Sequence, residues 1–198
     1  MTMRPMMTRP DLEWRAIAAA ALHAARGMRH LSPGGMAELR RMDAETPAPA
    51  LWRIAVRCPV MLADHANWVT LLRIFALLVP KGELPPEGRP KLHNRKRPFG
   101  EVLCDGGDPG WTPQGDNPDG VLSERRLMQL LASRGPARAV ALERAVRMLA
   151  NRMQPGTGVD VTQIALALLD PTDTTAIARA YFSRLDHASR APSQEKTE

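Results

Sequence analysis

"HANWVTLLRIFALLVP", residues 65–80, is the most apolar stretch of the chain and the one whose reading decides the fold. It reads as a central helix that Pro80 ends, and the segments around it are helical in pattern too. Upstream, "PALWRIAVRC" (49–58) puts Leu51, Ile54, Ala55 and Cys58 on one face and stops at Pro59. "SPGGMAELRRMD" (32–43) has Ser32 placed to cap and Pro33 at the first helical position. An Ala-rich helix runs from a cap at Asp11 to a stop at Gly27. Residues 1–10, with two prolines and no periodicity, read as a flexible N-terminal arm.

Downstream of Pro80 the periodicity is lost. Residues 80–120 hold many of the 18 prolines and 14 glycines and read as a long irregular loop, with at most one helical turn at "FGEVLC" (99–104). Helices resume at Ser123, continue from Pro136 to Met153, restart as "VTQIALALL" after a cap at Asp160, and finish with "DTTAIARAYFSRLD" (173–186). Residues 188–198 read as a disordered tail. Strand-like runs, repeats and Gly-rich phosphate loops are absent. The expectation is an all-α single domain over 11–187, a bundle of about eight helices, and a chain of 198 residues buries roughly 70% of its unfolded surface in such a domain.

The charge is basic and segregated. Lys and Arg number 27 against 21 Asp and Glu, for a formal net charge of +6 and a pI near 10.1, and Arg supplies nearly all of the excess. A guanidinium is a planar fork that matches phosphate and keeps its charge when partly desolvated, so such a surface favours a polyanionic partner. Residues 81–97 carry six basic side chains, Arg95 and Lys96 among them, against Glu83 and Glu87. Residues 99–124 carry only acids: Glu101, Asp105, Asp108, Asp116, Asp119 and Glu124. Residues 125–152 then carry Arg125, Arg126, Arg134, Arg138, Arg144, Arg147 and Arg152 against Glu143 alone. A binding face requires such segregation and a uniformly solvated surface does not.

Helical spacing places Leu142, Ala145, Val146, Leu149 and Met153 on one face and turns Arg144 and Arg147 to the other. Arg40 and Arg41, about 100° apart on their helix, both flank Leu39. The candidate nucleic-acid-binding residues are therefore Arg40, Arg41, Arg95, Lys96, Arg125, Arg126, Arg134, Arg138, Arg144 and Arg147. Aromatic residues make up only 4% of the chain, which argues against base-stacking platforms and for backbone recognition largely independent of sequence. Trp14, Trp52, Trp68 and Trp111 read as packing residues.

Other classes find little support. His23, His30, His65, His93 and His187 lack metal-ligand spacing, and no H-E-x-x-H or G-x-S-x-G motif occurs, so neither catalysis nor a cofactor is expected. Asp105, Asp108, Asp116 and Asp119 depart from calcium-loop spacing and read as a solvated, mobile acidic loop. Cys58 and Cys104 lie far apart, outside any C-x-x-C pair, which points to a reducing cytoplasm. "RAIAAAALHAARG" (15–27) has a signal-like composition, but Asp11 and Glu13 stand where a positive flank is needed, and no apolar run approaches the ~20 residues that span a bilayer. Two further readings remain open: a helical adaptor whose basic face meets an acidic protein, and a helix-turn-helix regulator in 161–185, offering Arg179, Ser183 and Arg184 to base edges.

Six segments, in order, resemble the CasB family, the small subunit of the type I-E CRISPR Cascade complex. They are "AELRRMD" (37–43), "LLRIFALL" (71–78), "RPFGEVL" (97–103), "SERRLMQLLASRG" (123–135), "LERAVRMLA" (142–150) and "VDVTQIALALL" (159–169). The resemblance covers about residues 15–185. It implies an all-helical, non-catalytic subunit present in two copies beside the other Cascade subunits. Its basic residues would contact the backbones of CRISPR RNA and target DNA and help hold the R-loop open. By position it carries the basic role to Arg40, Arg41, Arg125, Arg126 and Arg144, and only approximately to Arg134. The N-terminal arm, the longer loop at 80–120 and the acidic tract depart from short family members.

Overall fold

The computed structural model of the protein describes residues 9–80, 91–113, 119–153, 156–170 and 174–190. The expected arm at 1–8, the tail from 191, and the stretches 81–90 and 114–118 of the expected loop lie outside the described residues. The fold is all-α. Among the described residues are ten helices and no strand, only one isolated parallel bridge between His93 and Val159. In order they are α1 (Arg9–Met28), α2 (Pro33–Arg41), α3 (Pro49–Ala55), α4 (Pro59–Ala63), α5 (His65–Leu78), α6 (Phe99–Asp105), α7 (Glu124–Ala132), α8 (Gly135–Ala150), α9 (Val161–Leu169) and α10 (Thr175–Arg190).

α5 is the central helix. Trp68, Val69, Leu71, Leu72, Ile74, Phe75, Ala76 and Leu78 are all buried, and α2, α8 and α9 pack around it. Each large apolar side chain so enclosed contributes roughly 1.5–3 kcal/mol through removal from water. α1 lies chiefly against α9, and its Ala20, Ala21, Ala24 and Ala25 are buried, small side chains that allow a helix to pack closely on its neighbours. Two of the expected caps are in place. The Ser32 hydroxyl accepts from the Gly35 amide at 3.1 Å, ahead of Pro33, and the Asp160 carboxylate accepts from the Thr162 amide at 3.0 Å.

Several boundaries move. α1 begins before Asp11, so residues 9 and 10 of the expected arm are helical, and it runs through Gly27. Pro59 does more than end α3: it stands at the first position of α4, where a missing N–H costs nothing. α10 reaches Arg190, taking in the first residues of the expected tail. Trp68 is buried as a packing residue should be, but Trp14 and Trp52 are 47% and 43% exposed.

α6 stands in the place of the one helical turn expected at 99–104 inside the loop; the departure is that it is buried along most of its length. Gly106 ends it with φ +66°, a left-handed turn that glycine adopts without steric cost. α10 packs on α6 at Gly100, where an added Cβ would stand 2.0 Å from the Ile177 carbonyl oxygen. Asp105, expected to be solvated, is 2% exposed. Its carboxylate accepts from Arg97 at 2.8 and 2.9 Å, from Arg184 Nε at 2.8 Å and from the Gly107 amide at 2.8 Å. Two guanidinium groups explain why a carboxylate from an acidic tract can sit inside. Arg184 also donates to the carbonyls of Pro109 and Trp111 and lies over the Trp111 ring, so the chain after α6 is fixed to α10.

Cys58 and Cys104 are both free thiols. Burial, reinforced by the Asp105 charge, pushes the Cys104 thiol up to about 12. Burial also pushes the Tyr181 phenol up, and that hydroxyl donates to the Leu122 carbonyl at 2.6 Å. Both groups keep their protons in the fold at pH values where the unfolded chain releases them. Stability is therefore full below the ordinary thiol value and falls as the pH climbs from about 9 toward the raised values. Urea midpoints across that range should decline, and the decline should be shallower for Cys104→Ala.

Candidate nucleic-acid interface

α7 and α8 follow one another through a turn at Ser133 and Arg134, and an open groove of about 620 Å³ lies between them. α7 is strongly amphipathic: Leu127, Leu130 and Leu131 face the core, and Arg125, Arg126 and Gln129 face outward. α8 buries Leu142, Ala145, Val146 and Leu149, which turns Arg144 and Arg147 to solvent as their spacing implies. The groove is walled by Arg126, Arg144 and Arg147, with Gln129 and Ser133 beside them. Three guanidinium groups from two helices thus meet at one concave surface.

Their bonding differs. Arg144 forms no hydrogen bond or ion pair among the described residues and has only water to face. Arg126 Nη1 donates to the Met148 sulfur at 3.3 Å, which holds the guanidinium along the groove wall. Arg147, 57% exposed at its side chain, donates to Glu143 Oε1 at 2.6 Å. Glu143 Oε2 in turn accepts from Arg73 of α5 at 2.6 Å, and Arg73 also reaches the Met42 carbonyl just beyond α2 at 3.3 Å. This chain of contacts ties the end of α2, where Arg41 is exposed, to the Arg147 side of the groove.

The remaining expected residues are placed elsewhere or spent on the fold. Arg125 is exposed on α7 but does not line the groove. Arg40 Nε and Nη2 donate to the carbonyls of Ala76 and Val79, at 2.9 and 3.0 Å, and so cap the C-terminus of α5. Arg134 is exposed, but its Nη1 closes back on the carbonyls of Leu131 and Ser133. Arg138 is 1% exposed and is no part of any surface: it donates to the carbonyls of Ala167 and Leu130 and fastens α8 to α9 and α7. Burial, with the Arg134 charge nearby, lowers its pKa from the ordinary guanidinium value. Arg95 and Lys96 are exposed on the segment 91–98 and do not line the groove. That segment contributes Lys91 and His93 to a second basic cleft, of about 570 Å³, completed by Arg26, Arg29 and His30 at the end of α1.

Sequence reasoning missed Arg73 and the second cleft. A lone arginine inside the most apolar helix is the signal that a carboxylate waits nearby, whereas the cleft joins residues more than sixty positions apart. Of the three residues that the helix-turn-helix reading offers to base edges, Arg184 is held by Asp105, whereas Arg179 and Ser183 are exposed on α10, which packs chiefly on α6.

The family model for CRISPR-associated protein Cse2 matches residues 35–182. The chain belongs to the Cse2 family. Cse2 is the CasB small subunit of the type I-E Cascade complex, a structural subunit, so the resemblance read from the six segments holds. The Cse2 match starts inside α2 and ends inside α10, and it takes in Arg40, Arg41, Arg73 and every groove residue. α1, with its side of the second cleft, lies outside the Cse2 match. No curated protein and no solved structure matches the chain significantly. Among the described residues, no helix of this Cse2 chain is long and apolar enough to cross a membrane.

Proposed function

We propose that this Cascade subunit grips nucleic-acid backbone through the α7–α8 groove and so helps keep the strands of the R-loop apart during target binding. One observation carries the reading: Arg126, Arg144 and Arg147 line a single open concavity, and no carboxylate is among its lining residues, Glu143 meeting Arg147 from outside that lining. Arg41 and Arg125 are exposed as well and add to the basic surface of α2 and α7. R-loop formation exchanges one duplex for another of about equal stability, so a few added backbone contacts are enough to tip it without reading sequence. A second copy of the chain beside the first, held by the other Cascade subunits, would lengthen the track.

Replacing Arg126, Arg144 and Arg147 together by Ala should weaken retention of any oligonucleotide, whatever its sequence. It should also flatten the dependence of log affinity on log salt by roughly 0.7–0.9 per lost phosphate contact. Glu143→Gln should act in the opposite sense, because Arg147 is then released from its ion pair; affinity rises a few-fold and the salt slope steepens. Binding titrations at a series of salt concentrations, on the assembled complex and on the chain alone, check both signs. Retention unchanged by the triple replacement would remove the groove from consideration, and a chain that binds no oligonucleotide yet still captures an acidic protein would favour the adaptor reading.

A further inference from the structure

The same groove has a feature that phosphate contact does not explain. Between the arginines its floor is apolar: Leu122, Leu130 and Ala145 are buried beneath it, while Ala141 and Met148 are half-buried and Val140 is 48% exposed. A surface that only neutralises phosphates gains nothing from exposed aliphatic carbon, which costs free energy in water. The groove volume of about 620 Å³ falls within the roughly 300–1,000 Å³ of sites that enclose small organic molecules. Polar groups are arranged at its edge. The Gln129 side-chain amide, which offers donors and an acceptor, makes no hydrogen bond among the described residues. The Ser133 hydroxyl donates to the Gln129 carbonyl at 2.6 Å and retains its capacity to accept. The Arg126 guanidinium, fixed to Met148, presents a flat face of the kind on which bases stack.

We infer that the α7–α8 groove takes an unstacked nucleobase, its ring against the aliphatic floor and the Arg126 plane while Arg144 and Arg147 hold the adjoining phosphates. This rests on the reading that the groove binds nucleic acid and names its ligand more closely: a single strand whose bases are splayed, since a duplex keeps its ring faces inside the stack. The occupant follows from charge. A rim of three guanidinium groups over an apolar floor complements a chain of anionic phosphates bearing flat, weakly polar rings. An acidic helix would meet the rim but leave Gln129 and the flat guanidinium without use.

The test compares two single-stranded probes of equal length and charge with the full chain: oligothymidine and the same strand made of abasic residues. Fluorescence anisotropy should give oligothymidine about five- to tenfold tighter binding, in keeping with the lower part of the stacking range, with equal salt slopes for both probes. Ala141→Leu, which fills the groove without changing charge, should bring the two affinities together. Equal affinities for the unaltered chain, with both still weakened by the triple arginine replacement, would overturn the inference and leave the proposed function standing; the apolar floor would then belong to a neighbouring subunit. Failure of both probes to bind would sink the two together.

Discussion

Asp105→Ala is expected to destabilise the chain by about 3–5 kcal/mol, because it strips the shared partner from two guanidinium groups that remain enclosed. Arg97 and Arg184 are only 12% and 10% exposed at their side chains, so water cannot replace the carboxylate. Arg97 keeps Glu101 at 3.1 Å, and Arg184 keeps its loop carbonyls, but the charge that drew both toward α6 is gone. For a domain of this size the loss corresponds to a fall in Tm on the order of 10 °C. Asp105→Asn should recover little, since the amide carries no charge and adds donors that would face other donors. Thermal or urea unfolding measures the effect directly, and a shift under about 1 kcal/mol would mean that the two arginines find new partners.

Gly100→Ala reverses the usual expectation for a helix. In an exposed helix interior alanine is favoured over glycine by about 1 kcal/mol. Here the new methyl would stand 2.0 Å from the Ile177 carbonyl oxygen and 3.0 Å from the Tyr181 amide, and both are backbone atoms of α10 that no rotamer change can move. α6 and α10 must separate, which loosens the packing of Phe99, Leu103 and Tyr181, all fully buried. The cost should exceed the roughly 1–3 kcal/mol of ordinary overpacking, and unfolding at ambient temperature is the expected outcome. A stable Gly100→Ala chain, judged by circular dichroism and its melting curve, would show that the crossing of these helices tolerates more distance than the packing implies.

How much of this was legible in the sequence depends on element length. The long helices announce themselves through apolar spacing, and the starts at Ser32–Pro33 and Asp160 were readable because their side-chain chemistry is local. α4 and α6, at five and seven residues, complete too few turns to establish a period, and glycine and proline around α6 mimic a loop. What stabilises α6 is contact with residues about eighty positions away, which no local pattern encodes.

The interface was legible in the same uneven way. Arg144 and Arg147 were turned outward correctly by counting around the helix. The same count finds Arg138 four residues before Leu142 and seven before Ala145, on the buried stripe, and Arg40 four residues after buried Met36. Net charge by segment overrode that signal, because it records how many cations are present and not where each one points. The acidic tract misled for a related reason: a carboxylate is read as solvated until its partners are known, and Arg184 stands seventy-nine residues from Asp105.

The arrangement of Glu143 between Arg73 and Arg147 bears on how quickly the groove can change hands. When an incoming anion draws Arg147 away, the carboxylate is not orphaned, for it retains the guanidinium that reaches it from α5. The swap is a rotation of one exposed side chain, a matter of picoseconds to nanoseconds, with no backbone rearrangement to wait for. A strand threading past such a surface would meet a latch that opens and closes far faster than the strand itself can diffuse along it.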